Sequence, residues 1–526
     1  MTSTHKFTAV AALATGLFLS GCKKDFVSIN TDPNHITASS MKFAYMLTSA
    51  ELITSGNSDA NAYEDWRTNL IYSACMVQQL SSTTGYWDGD KYLFNPSYAS
   101  AYWDQNYPNS ITDIQEVVYN TKSDTSQVNL YNIARIFRAF MFQRMTDMYG
   151  DCPYTEAGLG YISGITSPKY DKQQDIYTGL LTELSDAATS LNASDPTSTW
   201  GAADLLYGGD VTKWKKFAYS EMVRVAMRMS KVDPTDAQKW VQTAVAGGTM
   251  AGVADDAAVA HQDVGGTPVR NGNGLVLLLN DPDASRLSQS FVNYLKSTND
   301  PRLSYLGTVC TNPSSSSDMG DTTWSKQLGQ PNGYDPALSG SPYDLSKAPG
   351  YPGNPNLYSV VNRYTFARLD APTLFVTYGE TELLLAEAAE RGWISDAPAT
   401  HYINGVTASM QMLTSHFGVG PSATDITTYL TNNPYNAAGA LNQLNSQYWV
   451  TSFMDDVESW NNWRRSGYPA LTPVANYPGN VTNGTIPRRF TYPQGEAGTN
   501  AANYNAAVAD LSSGDKMVSR MWWDTP

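Results

Sequence analysis

The stretch Tyr131–Pro153, YNIARIFRAFMFQRMTDMYGDCP, constrains the fold more than any other. Ile133, Ile136, Phe137, Phe140, Met141, Met145 and Met148 recur at steps of three and four, so they form one apolar stripe on a helix. Arg135, Arg138 and Asp147 fall away from that stripe. Gly150 permits a left-handed stop, and Pro153 prevents the helix from resuming. An apolar face this wide has to be covered by other helices. The stripe reads as core, and ligand chemistry is expected elsewhere.

The rest of the chain repeats this pattern. Met41–Ile53, Tyr63–Leu80, Ser97–Tyr119, Asp175–Leu191, Thr212–Ser230 and Asp236–Ala246 all carry apolar residues in helical phase, with Pro108 expected to kink or split the third. Further helices are expected at Leu287–Lys296, from Pro372 to Gly392, at His401–His416, Ala437–Val450, Asp455–Arg465 and Asn503–Leu511. In the second of these, Thr377-Tyr-Gly-Glu380 matches a capping box. Strands are expected only around Leu275–Leu279. The fold class is therefore mainly α, with about nine to eleven helices in largely sequential antiparallel pairs. No clean 34-residue consensus repeat is present.

Two stretches interrupt the helical pattern. Ser81–Asn95 is polar and displays Tyr86, Trp87, Tyr92 and Phe94 without helical spacing. Asn312–Tyr358 is a loop-rich insertion in which 13 of 47 residues are Gly or Pro, more than twice the density of the rest. It carries Trp324, Tyr334, Tyr343, Tyr351 and Tyr358.

The N-terminus has the form of a secretory signal: Lys6, a mostly apolar run from Phe7 to Leu19, then Leu19-Ser20-Gly21-Cys22. The run is too short to span a bilayer. Small residues before a cysteine resemble the bacterial lipobox, which implies cleavage before Cys22 and lipidation there. The expected layout is a signal peptide over 1–21 and a single domain over 22–526, with the insertion at about 312–358. The chain carries a formal charge of −15, so phosphate repels it and nucleic acid is excluded as a partner. Charged residues are only 16% of the chain, a composition suited to hydrogen bonding with neutral polar ligands.

Catalytic motifs are absent. There is no His-Glu-x-x-His, no Gly-x-Ser-x-Gly and no Gly-rich loop ending in Gly-Lys-Ser/Thr. Asp455, Asp456 and Glu458 sit at helical spacing and read as a solvated face. Asp88-Gly89-Asp90 and Asn280-Asp281-Pro282-Asp283 carry oxygens of the kind calcium takes but lack the full loop, and read as turns. No metal or cofactor is expected. Cys75, Cys152 and Cys310 allow at most one disulfide and show no zinc spacing.

Several stretches together resemble the SusD/RagB family, in its SusD-like subgroup. They are Ile29-Asn-Thr-Asp-Pro-Asn34, Met148-Tyr-Gly-Asp-Cys-Pro-Tyr154, Asn332-Gly-Tyr334, Pro372-Thr-Leu374, Leu384–Trp393, Pro487–Pro493 and Trp522-Trp-Asp524, in that order along the chain. The resemblance implies tetratricopeptide-like helix pairs and a palmitate-bearing lipoprotein of the cell outer membrane. It also implies a binding protein, not an enzyme, that passes nutrients to a TonB-dependent, SusC-like transporter. The ligand it implies is usually oligosaccharide. A peptide ligand and, less favoured, a surface glycosidase stay open as alternatives.

Aromatic faces suit the apolar C–H faces of sugar rings. The candidate ligand-binding residues are Tyr86, Trp87, Asp88 and Tyr92 in the first loop and Trp324, Tyr334, Tyr343 and Tyr351 in the second. Asn95, Asn271 and Asn273 are candidate hydroxyl partners, and Cys22 is the lipid anchor. Trp66, Trp103, Trp214, Trp460 and Trp463 lie on helix faces and read as core.

Overall fold

A computed structural model describes residues 41–526 except 57–61, 196, 198, 266 and 267. From Ala44 onward the chain is helical in most of its regular structure. Helix α1 (Ala44–Thr54) is followed by a π-helical segment, Asp65–Ala74. After the first loop, helical turns at Ala101–Asn106 pass through a second π-helical stretch, Tyr107–Ile111, into α2 (Thr112–Thr121). Pro108 thus widens the helix rather than ending it, because a proline lacks the donor and crowds the preceding turn.

Then come α3 (Val128–Tyr149), α4 (Gln173–Ser190), α5 (Val211–Arg228) and α6 (Pro234–Gly247). The C-terminal half supplies α7 (Gln289–Ser297), α8 (Tyr378–Glu390), α9 (Pro398–Phe417), α10 (Ala440–Thr451) and α11 (Asp456–Ser466). Neighbours in sequence pack against each other: α2 with α3, α3 with α4, α4 with α5, α5 with α6, α8 with α9, and α10 with α11.

Helix α3 is the long stripe-bearing helix, and Gly150 ends it at φ 83°. Its burial goes beyond the stripe, since Gln143, Arg144 and Asp147 are buried as well. Asp147 accepts from Arg228 of α5 at 3.0 Å and from the Tyr177 hydroxyl. Arg144 donates to Asp455 at 2.9 Å. The acidic group at the start of α11 is likewise not a solvated face. Asp456 and Glu458 are buried, Glu458 pairs with Arg228 and accepts from Tyr448 at 2.7 Å, and Asp456 accepts from Asn69 at 3.2 Å. Charge of this kind is held in a low-dielectric interior only when paired and hydrogen-bonded.

Helix α8 opens on the expected capping box. Thr377 Oγ1 accepts from the Glu380 amide at 3.2 Å, and the Glu380 carboxylate accepts from the Thr377 amide at 2.9 Å. Glycine sets the closeness of the α8–α9 crossing: a Cβ on Gly405 would stand 2.8 Å from Leu383 Cγ and 3.1 Å from the Gly379 carbonyl.

The strands are short and pair antiparallel: β1 (Leu80–Ser82) with β3 (Ser285–Leu287), β2 (Ala257–Val259) with β6 (Thr373–Val376), and β4 (Gly307–Thr308) with β5 (Val360–Val361). The strand expected at 275–279 is instead helical, Gly272–Leu275 running into a π-turn at Val276–Asn280. Pairing of β4 with β5 ties together the two ends of the 312–358 insertion. Inside it, Leu345, Ala348 and Tyr358 form a small core of their own. Cys75, Cys152 and Cys310 are buried free thiols.

Candidate functional site

The first loop is pressed onto the π-helical segment. A Cβ on Gly89 would stand 2.1 Å from the Ile71 carbonyl, so only glycine lets the loop lie this close. Asp90 is fully buried and accepts from the backbone amides of Ser82 and Gly333, each at 3.2 Å. Lys91 is buried too and pairs with Asp335 at 3.0 Å. The loop at 81–95 and the insertion are thereby fastened to each other, and a cleft of about 450 Å³ opens where they meet. Thr83, Thr84, Asp281, Asp283, Arg286 and Asn356 are among its walls.

One carboxylate organises the aromatics beside it. Asp281 Oδ2 accepts from Trp87 Nε1 at 2.6 Å, from Trp66 Nε1 at 3.2 Å and from the Tyr86 hydroxyl. Burial and the hydrogen bond to Asp281 push the Tyr86 phenol up, so it stays a donor. Tyr86 is 43% exposed. Its hydroxyl is fixed on Asp281, which lines the cleft, and its ring, though not itself a lining group, is open to solvent. On the same segment, Asp283 accepts from Arg286 at 2.5 Å, and both line the cleft.

The structure places the expected site residues differently. Tyr86 has an accessible ring. Trp87 and Tyr92 do not: Trp87 is 0% exposed and Tyr92 1%. Trp87 holds the loop through Asp281, and the Tyr92 hydroxyl accepts from the Val474 amide at 3.1 Å. Neither can lay a ring face on a ligand, because the loop folds over both. Asp88 is nearly buried, and burial raises its carboxyl to about 6, with Lys91 opposing and Asp90 adding to the shift.

In the insertion, Trp324 is half-buried, donates to the Asp300 carbonyl at 2.9 Å and has the Lys296 ammonium 5.7 Å from its ring. Tyr351 packs on the insertion's small core. These two line neither cleft described here. Tyr334 and Tyr343 line a second cleft of about 300 Å³, on the side of the insertion facing α7 and residues 472–475.

Asn271 and Asn273 are buried and used internally. Asn271 caps a helical turn, accepting from the Gly274 amide at 2.7 Å, and Asn273 donates to the Met454 carbonyl at 3.1 Å. They face a cavity of about 50 Å³, too small for a sugar. Asn95 caps the short helix Pro96–Ala99. Cys22 lies outside the described residues.

Helical phase misplaced Trp66. It is only partly buried and belongs to the Asp281 cluster rather than to the core. The cause is the π-helical winding of Asp65–Ala74, whose i→i+5 bonds shift side chains off a 3.6-residue phase. No sequence signal marked that winding.

The family model described as starch-binding, associating with the outer membrane (SusD-like), matches residues 36–493. A solved chitin-binding protein is similar at 33% identity and a TM-score of 0.80, over 92% of this chain and 100% of its own. A Bacteroidetes SusD-like protein is similar at 28% identity and a TM-score of 0.80, over the same shares. A chitin-binding SusD homologue from Flavobacterium johnsoniae, 20% identical with a TM-score of 0.72 over 91% of this chain and 98% of its own, shows the same fold. No curated protein sequence matches. The helix pairs above are the tetratricopeptide-like fold of these structures. The chain belongs to the SusD-like family.

Proposed function

We propose that this SusD-like chain is a non-catalytic protein that captures neutral oligosaccharide in the cleft between its two aromatic loops. In this reading it is held at the cell outer membrane by lipid on Cys22, faces the exterior, and hands its ligand to a TonB-dependent, SusC-like transporter. No helix among the described residues is long and apolar enough to cross a membrane. Several acyl chains on one residue bury enough methylenes to hold a protein to a bilayer.

The observation that carries the binding role is Tyr86. Its ring is exposed and its hydroxyl is pinned to Asp281, a wall residue of the cleft of about 450 Å³, whose other walls carry hydroxyl, carboxylate and amide groups. A pyranose ring offers an apolar face to the ring and hydroxyls to those walls. The family description and the chitin-binding relative at 33% identity support a carbohydrate ligand.

A glycan array probed with the lipid-free chain tests the reading. Binding to neutral oligosaccharides, lost in Tyr86→Ala, supports it; selective capture of peptides instead would replace it. For the anchor, Cys22→Ser is expected to abolish palmitate labelling and release the protein from membranes, and continued labelling would refute lipidation at Cys22.

A further inference from the structure

The second cleft, between the insertion, α7 and residues 472–475, has a distinct character. Its walls include Gln78, Ser290, Asn332, Tyr334, Tyr343 and Val474, and among all its lining residues none carries a formal charge at neutral pH. In a chain of net charge −15 that is a selective feature. The first cleft, in contrast, contains Asp281, Asp283 and Arg286.

The walls are fixed by hydrogen bonds that leave acceptor capacity. Gln78 donates its amide to the Thr472 carbonyl at 2.6 Å, and its oxygen accepts from Ser290 at 2.6 Å. Asn332 donates to the Leu80 carbonyl at 2.8 Å, and its oxygen accepts from Ser288 at 2.5 Å. An amide oxygen has two lone pairs, so each of these has one left for a hydroxyl donor. Tyr343 is held by its hydroxyl on the Asn476 carbonyl and by the ring of Tyr477, 5.0 Å away at 58°. Tyr334 rests on the insertion's small core.

Backbone strain collects at the same place. Gln78 and Asn476 lie in the left-handed region, at φ 56° and 63°, and Tyr92 at φ 55° bonds Val474. Gly333, at φ 82°, admits Val474, whose Cγ1 would stand 2.4 Å from a Cβ there. Left-handed non-glycine residues cost energy, and they persist where the surroundings over-determine them, as at binding sites.

The geometry points to a second carbohydrate site in this cleft, one that takes neutral saccharide on Tyr334 and Tyr343 independently of the Tyr86 site. It extends the capture reading above and rests on it. The buried Lys91–Asp335 pair separates the two sites: Gly333 and Tyr334 line one cleft and Pro336 the other.

Calorimetric titration with short neutral sugars, chitobiose and maltose, tests this, because the buried Lys91–Asp335 pair stands between the two clefts and each bound disaccharide is counted separately. The full mature chain is expected to take two per molecule. Tyr86→Ala is expected to leave one, with an affinity that does not change between about 0.05 and 0.5 M salt. Tyr343→Ala is expected to weaken that remaining site at least tenfold. Ala475→Trp, which fills the cleft from an exposed lining position without removing a packed side chain, is expected to do the same. One disaccharide per chain, abolished by Tyr86→Ala and unaffected by Tyr343→Ala and Ala475→Trp, would overturn the second site and leave the capture reading standing. A proline-rich peptide that binds at Tyr343 where the sugars do not would also overturn it. No binding of either sugar to any form would count against both.

Discussion

Lys91 Nζ lies 3.0 Å from Asp335 Oδ2, and solvent reaches almost none of either side chain. The two residues are 244 positions apart and belong to the two different aromatic loops. Asp335 also accepts from Tyr477 at 3.3 Å, and its amide donates to the Tyr343 carbonyl at 2.8 Å. This pair fixes the spacing of both clefts.

Asp335→Ala would strand a buried ammonium, and breaking one side of such a pair costs about 3–5 kcal/mol. Urea denaturation of the variant is expected to show a loss of that size, and replacing both partners by apolar residues is expected to recover most of it. A loss below about 1 kcal/mol for the single change would mean that the loops are held together by something else.

Tyr86 and Trp87 are adjacent in sequence and opposite in role. Trp87→Ala empties a fully buried site, so it is expected to destabilise the fold by about 3–5 kcal/mol. Tyr86→Ala is expected to change stability little while weakening oligosaccharide binding by about tenfold or more. Thermal melts beside calorimetry separate the two. Equal effects of both changes on stability would contradict the exposure difference between them.

Asp88 gives a pH signature. Its folded carboxyl holds a proton up to about pH 6 because it is buried, whereas an unfolded aspartate releases it near about 3.9. Between those values the folded state binds more protons, so this residue's contribution falls as pH rises, and above about 6 its penalty is constant. Asp88→Asn is therefore expected to raise the denaturation midpoint at pH 8 and to leave it nearly unchanged at pH 4. A larger gain at pH 4 than at pH 8 would reverse the sign and refute the account.

Much of the scaffold was legible because helix packing writes a period into the chain. The α3 stripe, the stop at Gly150 and the Thr377–Glu380 capping box all depend on residues within a turn or two of one another. The buried charges were not legible. Asp147 and Arg228 are 81 positions apart and Arg144 and Asp455 are 311 apart, and nothing local marks a carboxylate whose partner arrives from another helix. From sequence alone Glu458 reads as surface for that reason. The site was legible by region but not by ring. Loop composition singled out Ser81–Asn95 and Asn312–Tyr358; the first lends Thr83 and Thr84 to the first cleft only, and the second lends residues to both. Which aromatics turn inward is set by Lys91–Asp335 and Asp281, contacts that join distant segments. Trp66 escaped because its helix is wound with a π period.

Capture of oligosaccharide, as proposed, places a sugar ring on Tyr86 between the two loops. A crystal structure of the protein with an oligosaccharide chosen from the array tests this most directly. The expected result is a pyranose face against the Tyr86 ring, with its hydroxyls within hydrogen-bonding distance of Asp281 or Thr83. An oligosaccharide seated outside this cleft, with the Tyr86 ring bare, would contradict it.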